Sequence, residues 1–172
     1  DFQIKTVIGR EESASTNQLD FLATDRFNLT YTDADGKEKP VYVIHQAPLG
    51  SLERFIAFLI EHYAGVFPIW LAPEQIWILP ISEKFSKKAH DLKKELEEMI
   101  PGVRITVRDE NETLGKKIRQ SEILKIPYSL VLGEKEIKSK KISVRERTKG
   151  DLGTMTTKMF AEKIIKSIAE RK

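Results

Sequence analysis

The sequence predicts two architectures in one chain of 172 residues. Residues 75–172 read as an α/β domain, a mixed and mostly parallel sheet with helices on both faces. Residues 1–74 read as α+β, a partial antiparallel sheet closed by one strand and one helix. Three observations lead there. The apolar run Ile76-Trp77-Ile78-Leu79-Pro80-Ile81 has the composition of a strand buried on both faces. The β runs before residue 48 are joined by a hairpin-type turn, Asp33-Ala34-Asp35-Gly36-Lys37, which implies antiparallel pairing. Charge is also segregated: residues 1–74 carry 6 Lys+Arg against 11 Asp+Glu, a net −5, and residues 75–172 carry 23 against 15, a net +8. An acidic part joined to a basic part suggests two units, the second facing a polyanion.

In the first half, Lys5 to Ile8 predicts a short strand, Gly9 to Ser15 a polar loop, and Gln18 to Phe21 a second short strand. Phe27 to Thr32 alternates apolar and polar residues with period two, as a half-buried strand does. After the turn the chain returns through Val41 to Ile44. Pro48 to Gly50 then turns it into a helix with Ser51 at the N-cap, and Leu52, Phe55, Ile56, Leu59, Ile60 and Tyr63 recur at helical spacing. Four strands and one helix make a thin core, so these residues read as a piece of a larger domain.

In the second half, Ser82 is expected to cap a helix whose buried face is Phe85, Ala89, Leu92, Leu96 and Met99, ending at Pro101-Gly102. Val103, Ile105 and Val107 alternate as a strand. A short helix follows from about Thr113 to Lys125, with Leu114, Ile118 and Ser121 on one side. Pro127 to Leu132, a turn at Gly133-Glu134, and Glu136 to Arg145 are expected as two more strands in a hairpin. A last helix begins near Thr157, burying Phe160, Ile164 and Ile168. The order β-α-β-α-β-β-α gives the mixed sheet.

Composition narrows the chemistry. There are no cysteines, so disulfides and thiolate metal sites are excluded and a reducing compartment is allowed. No run approaches the apolar length of a membrane span, and the first residues do not read as a signal peptide. The Gly50-Ser51 junction puts backbone N–H groups and a partial positive charge before a helix, and Arg54 adds a planar fork of donors; this is either a place to hold an anion or simply a cap. His45 is the one metal-ligand candidate of the first half, and a lone histidine near a strand end also reads as a packing or surface residue. In the basic half, Arg108 to Arg119 joins a strand end to a helix start. Asn111 offers a two-sided amide, Arg119 a fork, and the helix N-terminus another anion site. Lys135 to Lys141 and Arg145 to Lys149 read equally as a solvated hairpin edge or as an RNA patch.

The string Ile44-His45-Gln46-Ala47-Pro48-Leu49-Gly50-Ser51-Leu52-Glu53-Arg54-Phe55 resembles motif 3 of the threonyl-tRNA synthetases, which are class II aminoacyl-tRNA synthetases. Leu59 to Gly65 and Phe67 to Gln75 are similar to that family's passage from catalytic to anticodon-binding domain, and Thr16-Asn17-Gln18-Leu19-Asp20-Phe21 to the strand just upstream. The resemblance runs along essentially the whole chain. It implies the C-terminal part of a threonine–tRNA ligase: residues 1–74 as the end of the class II catalytic domain with the motif 3 strand and helix, residues 75–172 as the anticodon-binding domain. Motifs 1 and 2 would lie upstream of Asp1.

The resemblance also implies roles. Arg54 corresponds to the catalytic motif 3 arginine that contacts ATP. Thr16 stands beside the adenosine and Gln18 beside the threonyl group, while Ala47 and Ser51 line the adenylate pocket. His45 corresponds to one of three zinc ligands, the other two being upstream, so this piece alone is expected to bind little or no zinc. Anticodon contacts fall on Asn111, Arg119, Lys125, Glu136 and Arg145. Gln46, Ser13 and Asn17 depart from the family's usual Arg, Gln and Ile, and Lys125 stands where some members carry Arg. The implied cofactors of the parent are Zn2+ and ATP with Mg2+; its partners are threonine, the anticodon stem-loop of threonine tRNA and a second copy of itself, with no membrane, in the cytoplasm. The piece alone is expected not to aminoacylate. The alternative is a non-catalytic RNA-binding or accessory module on the same fold, in which Arg54 and His45 have no catalytic role.

Overall fold

The computed structural model describes all 172 residues, which form two compact units, Asp1–Gly65 and Val66–Lys172. In the first unit, β1 (Phe2–Lys5), β2 (Glu11–Asp20) and β5 (Val43–Ala47) make an antiparallel sheet in the order β1-β2-β5. A separate hairpin pairs β3 (Thr30–Thr32) with β4 (Glu38–Pro40), and the helices are α1 (Leu22–Phe27) and α2 (Leu52–Tyr63).

Several expectations are corrected here. The polar run Gly9 to Ser15 is not a loop: from Glu11 it is the first half of β2, paired with β1 from Phe2↔Ser15 to Lys5↔Glu11. Backbone ladders need no apolar side chains where both faces meet water, and only Ala14 in this strand is buried. The strand expected at Lys5–Ile8 ends at Lys5, because Thr6–Gly9 form the turn, with Gly9 at φ +84°. Phe27–Thr32 is not one strand either. Asp20 accepts hydrogen bonds from the N–H groups of Leu22 and Ala23 (2.8 and 3.0 Å), which starts α1; Asn28 at φ 48° stops it. The hairpin turn stands where expected, but Val43 onward pairs with β2 and not with β3. Ser51 caps α2, accepting from Arg54 N–H at 3.3 Å. No residue of α2 is buried.

The second unit is built on a five-stranded sheet. Its elements are β6 (Ile76–Pro80), a 3-10 turn (Glu83–Phe85), α3 (Ser86–Met99), β7 (Ile105–Val107), α4 (Leu114–Ile123), β8 (Tyr128–Leu132), α5 (Glu134–Ser139), β9 (Ile142–Glu146), β10 (Gly150–Met155) and α6 (Thr157–Ala169). The order is β10-β9-β8-β6-β7, with β7, β6 and β8 parallel and β9 and β10 antiparallel. The sheet is mixed, but its strand pairs divide evenly between parallel and antiparallel. The expected hairpin is replaced by β8-α5-β9, so Gly133-Glu134 opens a helix and Glu136 lies on it, not on a strand. β10 had no signal: Gly150-Asp151-Leu152-Gly153-Thr154-Met155 carries two glycines and no alternation, and it pairs with β9 through an irregularity between Asp151 and Thr154.

Alternation along β6 divides the core. Ile76 and Ile78 join Leu130 and Leu132 against Ala89, Leu92 and Leu96 of α3 and Phe160, Ala161 and Ile164 of α6. Trp77 and Leu79 join Ile126 and Val131 against Leu114 and Ile118 of α4. Helices thus cover both faces. Ile100, 2% exposed, fills the place expected for Met99, which is 39% exposed. The segment before β6 is pinned to this unit by backbone carbonyls: Arg104 donates to those of Trp70 and Ala72, Gln75 to that of Ile69, and Arg147 to that of Phe67.

Candidate nucleic-acid interface

β6 connects to α3 on one face of the sheet and β7 to α4 on the other. Connections that diverge this way leave a crevice at the carboxyl ends of the two strands. The loop Arg108–Thr113 lies there. Glu112 N–H donates to Glu110 C=O at 2.7 Å, closing a tight turn with the exposed Asn111 at its apex. Thr113 caps α4, accepting from Lys116 N–H at 3.3 Å. Arg108 still belongs to the sheet through its N–H, which donates to Ile78 C=O at 2.9 Å. Its guanidinium lies over the Trp77 ring at 4.1 Å and donates to Glu110 (2.8 Å) and Gln120 (3.2 Å). Asp109 is tied to α3: Ser86 donates to it, and His90 Nε2 stands 3.0 Å away. The Ser86 hydroxyl first, then His90, hold the Asp109 carboxyl below the usual range. The Lys116 ammonium, 2.7 Å from Glu112, does the same there.

Strand register extends this surface across the sheet. Trp77 pairs with Ser129, Ser129 with Arg145, and Arg145 with Asp151, so these side chains share the face that α4 only partly covers. The Arg145 guanidinium sits 3.9 Å from Glu122 and 4.0 Å from Asp151, at the outer limit of ion pairing. Below the strand end, Glu146 receives Lys163 and Lys149, each at 2.9 Å. Burial pushes the Glu146 carboxyl up, but these ammonium hydrogen bonds outweigh it and hold the group below the usual range. Burial, then the Glu146 charge, push the Tyr128 phenol up to about 12.

Of the residues singled out from sequence, Asn111 and Arg119 share the β7–α4 corner. Both are exposed, and Arg119 makes no ion pair. Lys125 follows α4 in the left-handed region at φ 58°, its carbonyl accepting from Arg147 at 2.7 Å. Arg145 reaches the same helix through Glu122. Glu136 stands differently, because its carboxylate accepts from Gly133 N–H at 2.9 Å and so caps its own helix. Sequence reasoning missed Arg108, Gln120 and the buried Lys117, whose ammonium donates to Pro80 C=O at 3.3 Å. Only Arg108 left a signal, as the first residue beyond an alternating strand.

In the first unit, the β2–β5 register pairs Thr16 with Ala47 and Gln18 with His45, placing all four on one face of the ladder. The Thr16 hydroxyl is buried without a hydrogen-bond partner. His45 Nε2 lies 3.0 Å from Asp20, whose carboxyl is held low by that histidine first and by the α1 N–H groups next. Ser51 and Arg54 follow at the start of α2, with the Arg54 side chain exposed and in no ion pair. A single imidazole already bonded to Asp20 does not make a zinc site, and no group of three His, Cys, Asp or Glu side chains converges in the chain.

Comparison with known proteins identifies this arrangement. Residues 75–167 match the family described as the anticodon binding domain. The chain is 45% identical over 168 residues to a threonine–tRNA ligase of Porphyromonas gingivalis, covering 98% of this chain and 25% of the relative. It is 44% identical over 172 residues to that of Finegoldia magna, covering 100% and 27%. Among solved structures, the RNA binding domain of threonyl-tRNA synthetase from Cryptosporidium parvum Iowa II superposes with a TM-score of 0.74 at 34% identity, covering 96% of this chain and 41% of that one. The chain spans about a quarter of the length of the curated relatives it matches. With 75–167 so matched, the chain belongs to the anticodon-binding domain family, and along its length it is similar to the C-terminal region of threonine–tRNA ligases.

Proposed function

We propose that the chain is part of a threonine–tRNA ligase and that residues 75–172 read the anticodon loop of threonine tRNA. The observation that carries this reading is the pairing of the family match with two exposed, unpaired recognition groups, Asn111 and Arg119, at one corner of the sheet. Unpaired RNA bases are read on their edges by amides and guanidinium forks. Asn111 would supply the first, and Arg119 and Arg145 the second. Lys125 contributes charge toward the backbone, and Glu136 takes a base amino group only on leaving the Gly133 N–H.

Residues 1–74 we read as the closing part of the class II catalytic domain, its motif 3 strand and helix being β5 and α2. We read these residues as suited to an adenylate: the unpartnered Thr16 hydroxyl supports the adenosine contact, with Gln18 and Ala47 on the same ladder face and Ser51 at the start of α2. ATP with its Mg2+ would supply the adenylyl group that activates the threonine carboxylate, and Arg54 would offset charge on the departing pyrophosphate. Threonine activation, the parent dimer and a cytoplasmic place belong to the same proposal, and the chain by itself would not aminoacylate. No helix is long and apolar enough to cross a membrane.

The test is binding of the chain to a threonine-tRNA anticodon stem-loop, and to one with the second and third anticodon bases changed, at one near-physiological salt concentration. A preference of about tenfold or more is expected. Equal, salt-sensitive binding to both would leave only a basic surface and overturn the reading.

A further inference from the structure

Arg108 carries no expected contact with RNA, yet it is the most connected cation at the crevice. It is 19% exposed. Its backbone extends β7 against Ile78, its guanidinium face lies on Trp77 of β6 at 4.1 Å, and its donors reach Glu110 in the loop and Gln120 on α4. Glu110 supplies the carbonyl that closes the turn presenting Asn111, and Gln120 adjoins Arg119. One planar fork therefore touches the immediate neighbours of both exposed recognition groups while resting on a ring that is 1% exposed.

We infer that Arg108 is a positioning residue that fixes Asn111 and Arg119 relative to one another, and so sets how sharply the loop discriminates between bases. The inference rests on the anticodon reading proposed above. A guanidinium suits the task and an ammonium does not: only the planar fork can stack on indole while donating in two fixed in-plane directions. Base discrimination depends on the mutual geometry of the recognising groups, whereas phosphate attraction depends mainly on charge count.

The test measures affinity of the whole chain for the two stem-loops across a salt series, in the wild type, Arg108→Met, Arg108→Lys and Gln120→Met. Arg108→Met is expected to reduce discrimination about fivefold or more while leaving the slope of log affinity against log salt as in the wild type. Arg108→Lys should restore little of it, and Gln120→Met should lose about two- to threefold. The last variant removes only the Gln120 amide's contacts with Arg108 and Glu112, so it reports even if Arg108→Met fails to fold. Wild-type discrimination retained in Arg108→Lys and Gln120→Met would overturn the inference while leaving the anticodon reading intact. A wild type that does not discriminate would overturn both.

Discussion

The two units use the same kinds of residue to opposite effect. In the second, Trp77, Ile78, Leu130, Val144, Phe160 and Ile164 are each at most 1% exposed. In the first, Ala14 is the one buried apolar residue, and α2 leaves Leu52, Ile56 and Ile60 at 61%, 45% and 50% exposure. The α2 sequence is amphipathic all the same. Periodicity therefore states which face of a helix is apolar; it does not state that the chain in hand covers that face. An apolar surface of this kind is usual at an interface and unusual on a finished monomeric domain.

The largest effect separates the units by stability. Phe160→Ala should cost about 3–5 kcal/mol, because the ring is fully buried between α6 and the sheet and meets Tyr128 edge-on at 5.6 Å. Ile56→Ala, a smaller deletion from the exposed face of α2, should cost no more than about 0.5 kcal/mol. Denaturant unfolding of the two variants checks this. A similar loss in both would mean that α2 is covered in solution, and the comparison would fail.

Next in size is function. Arg119→Ala should lose about 1–3 kcal/mol of discrimination between stem-loops, and Arg145→Ala a comparable amount. Arg54→Ala, in the first unit, should leave stem-loop binding unchanged. If Arg54→Ala weakened the cognate complex as much as Arg119→Ala, the division of labour between the units would be wrong.

A smaller difference should appear with pH. Glu146 is held below its ordinary range by Lys163 and Lys149, so its contribution is present above the unfolded carboxyl pKa of about 4.3 and is lost as pH falls through the lower folded value. Glu146→Gln should thus be less stable than the wild type near neutrality, and the two should converge in the acid limb. Parallel curves down to the lowest pH would show that the ammonium contacts contribute nothing.

Much of the second unit was legible because its strands are long apolar runs or clean alternations and two of its helices, α4 and α6, follow the capping residues Thr113 and Thr156, whereas Ser82 makes no side-chain cap. What escaped has a physical reason. β10 is an edge strand with two glycines, and the ladder that makes it a strand is supplied by β9. α5 was misread because Glu134 to Ser139 is only six residues, started by a Glu136 carboxylate on Gly133 N–H. A Cβ added at Gly133 would displace the end of the Ile81 side chain and lie 3.0 Å from the Glu136 carboxylate. β2 was hidden because eight of its ten residues are polar and its partner β1 is four residues long. In the site, Asn111 and Arg119 could be singled out as candidates from residue type and position, and both project to solvent. Arg108 was not, since its role lies in what it touches, and three of those contacts come from other elements.

The smallest effect compares the same local device in both settings. Ser51 and Thr113 each accept from the N–H three residues on, at 3.3 Å in both cases. Replacing either by Ala removes one cap, about 1 kcal/mol in an ordinary helix. α4 packs Leu114 and Ile118 against Trp77 and Leu79, so opening α4 opens the core, and Thr113→Ala should lower the global unfolding free energy by about that amount. α2 has no fully buried residue, only the half-buried Phe55, Phe58, Leu59 and Tyr63, so its end can fray while the second unit stays folded. Ser51→Ala should therefore accelerate amide exchange over the first turns of α2 while leaving exchange in β6 and β8 as in the wild type. Faster exchange in those core strands would mean that the units unfold together, and that the apolar face of α2 is part of one cooperative structure.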